Sequence, residues 1–402
     1  MALIVQKFGG TSVADADCIR RVAGIIADTY RAGNEVVVVL SAQGHTTDIL
    51  IKKAYELGPR PSKREMDMLL STGEQVSISL MAMCLQDMGI SAVSLCGWQV
   101  DMRTDSDYAN ARIKSAGTER IQKELGRNRV VLVAGFQGIN RSGDITTLGR
   151  GGSDTTAVAL AAVLHADKCQ IFTDVDGVYT ADPRKVPGAK RLAEITYEEM
   201  LELASLGAQV LHSRSVEMAK KYHVNLEVLS SFTGNPGTIV REVSKMEKDK
   251  ITGVAIDTEI ARFALVGLRD EPGIAFQIFR LLGKEKVDVD IILQSIGREK
   301  TKDISFTVKA DDKDRAEAML TEYKDTIGYV RMDIQTDVAK VSAVGAGMVS
   351  TPGVAATMFE ALADAKINIQ MISTSEIKLS VLVDETDADR ARDAIHVKFF
   401  GE

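Results

Sequence analysis

The chain has no surplus of positive charge. Of its 402 residues, 49 are Lys or Arg and 56 are Asp or Glu, a formal net charge of -7. No basic field therefore invites nucleic acid or an anionic lipid surface. Aromatic residues make up only 5%, too few for a base-stacking platform. The four cysteines, Cys18, Cys84, Cys96 and Cys169, form no C-x-x-C pair and cluster with no histidine. Free thiols in a reducing cytoplasm are expected, not a disulfide framework or a metal knuckle. The apolar stretch ALIV is cut short by Lys7, unlike a secretory leader. The run TAVALAAVLHAD is far too short to span a bilayer. No Ser-His-Asp grouping, His/Cys metal cluster or G-x-G-x-x-G is present. The expectation is a cytoplasmic protein with neither nucleic acid nor membrane as partner and no protein-built metal site.

The length suggests two or three domains of roughly 150 residues. ALIVQKF, EVVVVLS, SAVSL, RVVLVAGF, KCQIFTDV and NLEVLSS read as strands, the longer ones nearly all apolar. Between them lie helical patterns: SVADADCIRRVAGIIADTYRAG with Asp15 or Ser12 as cap, a long one from Lys63 to Met88, and one near Gly117–Leu125. SDTTAVALAAVLHA, Tyr197–Leu206 and Ser213–Tyr222 complete the set. QGINRSGDITTL reads as a hairpin around Arg141-Ser142-Gly143. Apolar strands alternating with helices predict a mainly parallel sheet covered on both faces, a three-layer αβα body.

After residue 240 the character changes. VSKMEKDK reads as a linker over 241–250. Beyond it GLRDEPGIAFQIFRLLGKEKVDVDIILQS aligns without a gap to GAGMVSTPGVAATMFEALADAKINIQMISTS, offset by 80 residues. Pro272 then pairs with Pro352, Phe279 with Phe359, and Ser295 with Ser375. Such self-similarity marks a repeated structural unit. Each copy reads as a ferredoxin-like βαββαβ unit, over 251–338 and 339–402. Two small tandem units on an α/β body look like sensing modules.

Several constellations carry chemistry. QKFGGTSV places Lys7 before Gly9 and Gly10, the reverse of a P-loop. A backbone free of side chains, a helix N-terminus and a lysine together suit an anion; a strand-end lysine beside a tight turn is the bland alternative. SAQGHTTD puts Ser41 at the end of the second strand, where open sheets place ligands, with Thr46, Thr47 and Asp48 as hydroxyls and helix cap. TLGRGGSDTTA sets Arg150 and Asp154 around a helix start. A guanidinium grips a carboxylate in bidentate fashion, and Asp154 suits an ammonium, so the pair fits both ends of an α-amino acid. Asp154 also suits a first helical turn on electrostatic grounds alone; Arg150 does not, because that end repels cations. TDVDGVYTADPR crowds Asp174, Asp176 and Asp182 beside Tyr179 and Arg184, suited to ribose, magnesium and a purine, or simply an acidic loop. Glu74, in the apolar helix LLSTGEQVSISLMA, needs a partner if buried: a ligand ammonium, an internal arginine or a cap. Positioned reactants and spread positive charge are what phosphoryl transfer asks of a protein.

KFGGTSV, TLGRGGSDTTA and TDVDGVYTADPR together resemble the aspartate kinase family, and the resemblance covers essentially the whole chain, with the repeat resembling paired ACT domains. It implies an amino-acid-kinase fold followed by two ACT units, and transfer of the γ-phosphoryl group of magnesium-ATP to the side-chain carboxylate of L-aspartate. The product, 4-phospho-L-aspartate, would open lysine, threonine and methionine biosynthesis. Lys7 and Asp154 would be catalytic. Phe8, Gly9, Gly10, Ser41, Thr173, Asp174, Tyr179, Asp182, Pro183, Arg184 and Gln209 would join Lys7 in holding nucleotide, with Mg2+ bound mainly through the phosphates. Thr47, Glu74, Arg150, Gly151, Gly152, Ser153 and Asp154 would hold aspartate. Gln209 stands where many relatives carry a lysine, which leaves charge neutralisation there in question.

By the same resemblance the ACT units would bind lysine, threonine or both. Asp270, Gly273, Ile274, Asp290 and Gln294 in the first unit, and Gly353, Val354, Asn368, Ile369, Thr374, Ser375 and Glu376 in the second, are the candidate effector residues. The strand 251–258 would pair into the second unit, the units would form a homo-oligomer, and Met246 is placed to start a short regulatory subunit. Two rivals stay open: another kinase of the same fold, acting on acetylglutamate, carbamate or UMP, and a catalytically silent amino-acid sensor. The repeat and the Arg150/Asp154 clamp speak against the first, and the retained Lys7 against the second.

Overall fold

A computed structural model describes residues 1–206, 210–242, 251–295, 300–348 and 351–401. Gln209 and Met246 lie outside the described residues. The chain divides into two compact units, Met1–Thr180 with Ala189–Glu247, and Ala181–Gly188 with Lys248–Glu402. The segment 181–188, expected within the span 1–240, groups instead with the second unit, where Lys185 Nζ lies 3.7 Å from Asp389.

Strands of the first unit are β1 (Leu3–Phe8), β2 (Glu35–Leu40), β3 (Ala92–Leu95), β4 (Arg103–Thr104), β5 (Ile113–Ser115), β6 (Val130–Ala134), β7 (Gln137–Ile139), β8 (Ile145–Thr147), β9 (Lys168–Thr173), β10 (Glu194–Thr196), β11 (Leu226–Ser230) and β12 (Thr238–Arg241). Its helices are α1 (Ala16–Arg31), α2 (Thr46–Leu57), α3 (Lys63–Leu70), α4 (Thr72–Asp87), α5 (Glu119–Leu125), α6 (Gly152–Leu164), α7 (Tyr197–Ser205) and α8 (Ser213–Tyr222). The main sheet runs β10-β12-β11-β9-β1-β2-β6-β3. Its pairs are parallel except β11 with β12.

Central strands covered on both faces show no alternation, and Val36 through Leu40 are all fully buried. One face packs on α1 and α4, through Ile26, Met81 and Leu85 against Val38, Leu40 and Leu132. Phe8 and Phe172 stack across β1 and β9, with ring centroids 4.5 Å apart. On α1 the apolar positions Ile19, Val22, Ala23, Ile26 and Ala27 recur at helical spacing and are buried. Asp15 caps this helix by accepting from Cys18 N at 2.8 Å. Ser12, the alternative cap, instead pairs its hydroxyl with that of Ser231 at 2.8 Å. Helix α6 contacts β1, β2 and β9; its small side chains, Ala157, Ala159 and Ala161, let it lie close.

Three local expectations change. The helix expected over Lys63–Met88 divides at Ser71, whose carbonyl accepts from Gln137 Nε2 at 2.9 Å; a side chain drawing on a helix carbonyl is a recognised cause of such breaks. SAQGHTTD leads into a full helix, α2, and Asp48 lies in its first turn rather than at its cap, which is His45. The expected hairpin forms as β7 and β8, but it belongs to a small separate sheet, β5-β4-β7-β8.

The second unit contains β13 (Gly253–Asp257), β14 (Ile260–Arg269), α9 (Ile274–Lys284), β15 (Val289–Gln294), β16 (Thr301–Lys309), α10 (Lys313–Glu322), α11 (Lys324–Ile327), β17 (Arg331–Gln335), β18 (Val338–Val344), α12 (Val354–Asp364), β19 (Met371–Thr374), β20 (Lys378–Asp384) and α13 (Ala388–Phe400). They make two four-stranded sheets, β15-β16-β14-β17 and β13-β18-β20-β19. The orders match position for position, with β13 taking in the second sheet the edge place that β17 takes in the first. The repeat is also visible in the backbone: Gly273 and Gly353 precede α9 and α12 with φ of 98° and 95°, a left-handed conformation that favours glycine. Ile260, Ile291, Val338, Met371 and Leu382 form one apolar cluster drawn from both sheets. Beside it Lys340, 4% exposed, reaches Asp290 at 2.5 Å and Asp257 at 3.3 Å.

Candidate active site

The carboxyl ends of β1, β2, β9 and β11 converge, the usual ligand edge of an open α/β sheet. β1 delivers Lys7, in register with Val39 and Ile171 and only 9% exposed. Asp154, 8% exposed, comes from the first turn of α6. Lys7 Nζ stands 2.7 Å from Asp154 Oδ1. Desolvating two charges offsets most of the Coulomb gain, so a buried pair adds little to stability. Its position at the rim therefore points to chemistry rather than to folding.

The turn after β1 is close-packed against the end of β2. A Cβ on Gly10 would lie 2.7 Å from Ala42 O, which no side chain tolerates. Gly44 N donates to Gly10 O at 3.0 Å, and Ser41 N to Phe8 O at 3.2 Å. A Cβ on Gly9 would come within 3.5 Å of Lys7 Nζ. Beneath this turn lies Glu74, 3% exposed. Its Oε1 accepts from Ala42 N at 3.1 Å, and its Oε2 has no hydrogen-bond partner among the described residues. Burial pushes its pKa up to about 8. Such a group wants either a proton or a cation. Thr47, half-buried, sits in the first turn of α2.

At α6, Gly151 has φ of +66° and no room for a side chain, since a Cβ would fall 2.2 Å from His212 Cβ. Gly152 and Ser153 are buried. Arg150, just before them, is exposed and makes no hydrogen bond or ion pair among the described residues.

The loop after β9 is only partly free. Thr173 Oγ1 donates to Asp174 at 3.0 Å, and Asp174 is exposed. Tyr179 donates its hydroxyl to Asp176 at 2.6 Å, and Asn235 donates to the other oxygen at 2.9 Å. These bonds hold the Asp176 carboxyl below its ordinary range; it is already engaged. Asp182 takes a bidentate contact from Arg184, at 3.0 and 3.1 Å, and both belong with Pro183 to the second unit.

Three features escaped sequence reading. The buried Ser12–Ser231 hydroxyl pair ties the first turn to the end of β11. Ser230 Oγ accepts from the amides of Phe232 and Thr233. Arg214, on α8, binds the segment that leads to Arg150. No signal in the sequence marks the serines. Arg214 did carry one: like Arg150, it is an arginine set against a helix dipole.

Of the candidate effector residues, Gly353, Val354, Thr374, Ser375 and Glu376 share one cavity of about 400 Å³. Asp270, Asp290, Gln294 and Asn368 do not line it. Asp270 pairs with Lys302 at 3.1 Å and Asp290 with Lys340. Ile274 is buried in the core of the first sheet's module, and Ile369 packs against that of the second.

Comparison with known proteins agrees over the whole length. Residues 2–230 match the Amino acid kinase family, and 263–323 and 341–399 match the ACT domain. The chain is 51% identical to aspartokinase 2 of Bacillus subtilis over 400 residues, 99% of this chain and 98% of that protein. It is 50% identical to an aspartokinase of Pseudomonas aeruginosa over 402 residues, 99% and 98% of the two. Among solved structures, E. coli aspartokinase III in complex with aspartate and ADP superposes with a TM-score of 0.85 at 27% identity, covering 99% and 100% of the chains. The same enzyme with lysine and aspartate gives 0.76, covering 99% of each. A buried lysine–aspartate pair at the ligand edge, a tandem ACT repeat and similarity from end to end lead to one conclusion: this chain belongs to the aspartokinases, ATP-dependent kinases of the amino acid kinase family that carry ACT domains.

Proposed function

We propose that the chain transfers the γ-phosphoryl group of ATP to the side-chain carboxylate of L-aspartate, giving 4-phospho-L-aspartate and ADP. A carboxylate oxygen attacks the γ-phosphorus, and the bond from that phosphorus to the β–γ bridging oxygen breaks. The observation that carries this reading is the Lys7–Asp154 pair, 2.7 Å apart and nearly buried. Two anions must meet, and Lys7 is a cation in a low-dielectric rim where they can do so. A positioned charge of this kind contributes roughly 3–4 kcal/mol to a transition state. Asp154 holds the ammonium in place, its Oδ1 2.7 Å from Lys7 Nζ.

Arg150 grips the α-carboxylate of aspartate, being exposed and unengaged among the described residues. Glu74 and Asp154 take its ammonium, which supplies the cation that Glu74 Oε2 lacks. Thr47, Gly151, Gly152 and Ser153 complete the acceptor site. Phe8, Gly9, Gly10, Ser41, Thr173, Asp174 and Tyr179 hold the nucleotide. The donor set suits magnesium, a hard cation that prefers oxygen: the nucleotide phosphates would supply most ligands and the exposed Asp174 carboxylate can add one. Bound there, the ion would neutralise phosphate charge.

The product would enter lysine, threonine and methionine biosynthesis, in the cytoplasm, with lysine or threonine feeding back through the ACT units. The cavity beside Thr374, Ser375 and Glu376 supports an amino-acid effector site. Exposed apolar residues on the edge strands β15 and β19, Ile292, Leu293 and Ile372, favour assembly of copies through these sheets. The test is ATP consumption dependent on L-aspartate, with the acyl phosphate trapped by hydroxylamine as the hydroxamate, repeated with lysine, threonine and both. Hydroxamate formed with aspartate alone is expected. Turnover without aspartate, or with acetylglutamate, carbamate or UMP in its place, would overturn the reading.

A further inference from the structure

Around Arg150 almost every neighbour is pinned, and one side chain does much of the pinning. Arg214 is the second residue of α8, yet its guanidinium reaches away from that helix. Nη1 donates to Leu148 O at 2.5 Å and to Asn110 Oδ1 at 3.1 Å, and Nη2 donates to Ala111 O at 2.8 Å. An arginine in a first turn opposes the helix dipole, and this one is also half-buried. A side chain kept there against both costs has a job other than capping.

The job is visible in what it joins. Its acceptors lie on two segments, 110–111 and 148. Those segments are also tied directly, since Ala111 N donates to Thr147 O at 2.9 Å. From the opposite side Asp67, fully buried on α3, accepts from Thr147 N at 2.9 Å, Thr147 Oγ1 at 2.7 Å and Ala109 N at 3.0 Å. Two residues beyond Leu148 comes Arg150, so its backbone cannot stray more than about 7 Å from that anchored carbonyl's residue.

We propose that Arg214 is a positioning residue for the acceptor amino acid: by holding the Leu148 carbonyl and the 110–111 turn together, it aims Arg150 at the substrate's α-carboxylate. The inference rests on the role given to Arg150 above. A planar guanidinium with five donors serves three acceptors at once; an ammonium does not match that geometry.

Kinetics with each substrate varied in turn tests it. Arg214→Met is expected to raise KM for aspartate by about tenfold or more, as a mispositioned binding group does. KM for ATP should stay within about twofold and kcat within about threefold, since the acceptors of Arg214, on Asn110, Ala111 and Leu148, are not among the residues given to the nucleotide. Arg214→Lys should fall between. In Arg214→Ala, added methylguanidinium should recover most of the lost aspartate affinity, which a misfolded variant would not show. An unchanged aspartate KM in Arg214→Met would overturn the inference, as would a joint rise of both KM values that methylguanidinium leaves in place. Arg150→Ala, run alongside, separates the two ideas. If it raises aspartate KM while Arg214→Met does not, positioning alone is wrong; if it leaves aspartate KM unchanged, the role of Arg150 and the inference built on it both fall.

Discussion

Glu74→Gln isolates the electrostatics of the site in a single atom. Folding raises the Glu74 pKa from 4.5 to about 8, through burial. Between those values the folded chain keeps a proton that the unfolded chain has released. Stability therefore falls as pH rises from 4.5 towards 8, and levels off above that. At about 1.4 kcal/mol for each pH unit, the loss attributable to this residue is on the order of 4–5 kcal/mol. Glutamine keeps an oxygen for Ala42 N and places an NH2 group where the protonated Oε2 stands, so it never ionises. The assay is thermal unfolding of wild type and Glu74→Gln without ligands, from pH 5 to pH 8.5. Contributions common to both proteins cancel in the difference. The variant should match wild type near the acid end and exceed it near pH 8 by on the order of 10 °C, using about 2–4 °C per kcal/mol for a unit of this size. The substrate reading adds a second measurement. If the ammonium of aspartate takes the place of the proton, wild-type affinity should rise about tenfold per unit of pH below 8 and then level; in Glu74→Gln it should be weaker and flat. A melting difference that does not change with pH would refute the whole line of reasoning.

Other substitutions probe the remaining charges. Lys7→Met keeps an unbranched side chain, one atom shorter, and removes the cation; kcat should fall about a hundred- to thousandfold, and a loss of less than tenfold under saturating substrates would exclude the proposed role. Lys340→Met leaves Asp257 and Asp290 facing each other without their shared cation. Because Asp290 reaches solvent, the cost should be about 1–3 kcal/mol, below that of a wholly buried pair. The urea midpoint of the second unit measures it, and an unchanged midpoint would show that the pair contributes nothing.

How much of this was legible beforehand depended on the range of the interaction. Apolar periodicity is local, so β1, β2, β9 and helices such as α1 and α6 could be read directly, and so could the two Pro-Gly turns of the repeat, whose glycines do take the left-handed conformation. The odd placement of Arg150 was equally local, since a cation at a helix start is a conflict within a few residues. What could not be read involved partners far apart in the chain. Lys7 and Asp154 are separated by most of the first unit, and each alone had an ordinary explanation. Ser12 was a candidate cap until the fold set Ser231 beside it. The long helix broke at Ser71 because Gln137, on another strand, drew on its carbonyl.

The sequence alone determined the class of elements, their repeat and the residue types that chemistry would need, because these follow from nearest neighbours and from periods of 2 and 3.6. Tertiary structure decided which charges become pairs and which stay free. It paired Asp270, Asp176 and Asp290 with neighbours and, among the described residues, left Arg150 open and stranded one oxygen of Glu74. Those outcomes turn on burial and on distances of a few ångströms between remote residues, where loss of water makes a charge either costly or useful.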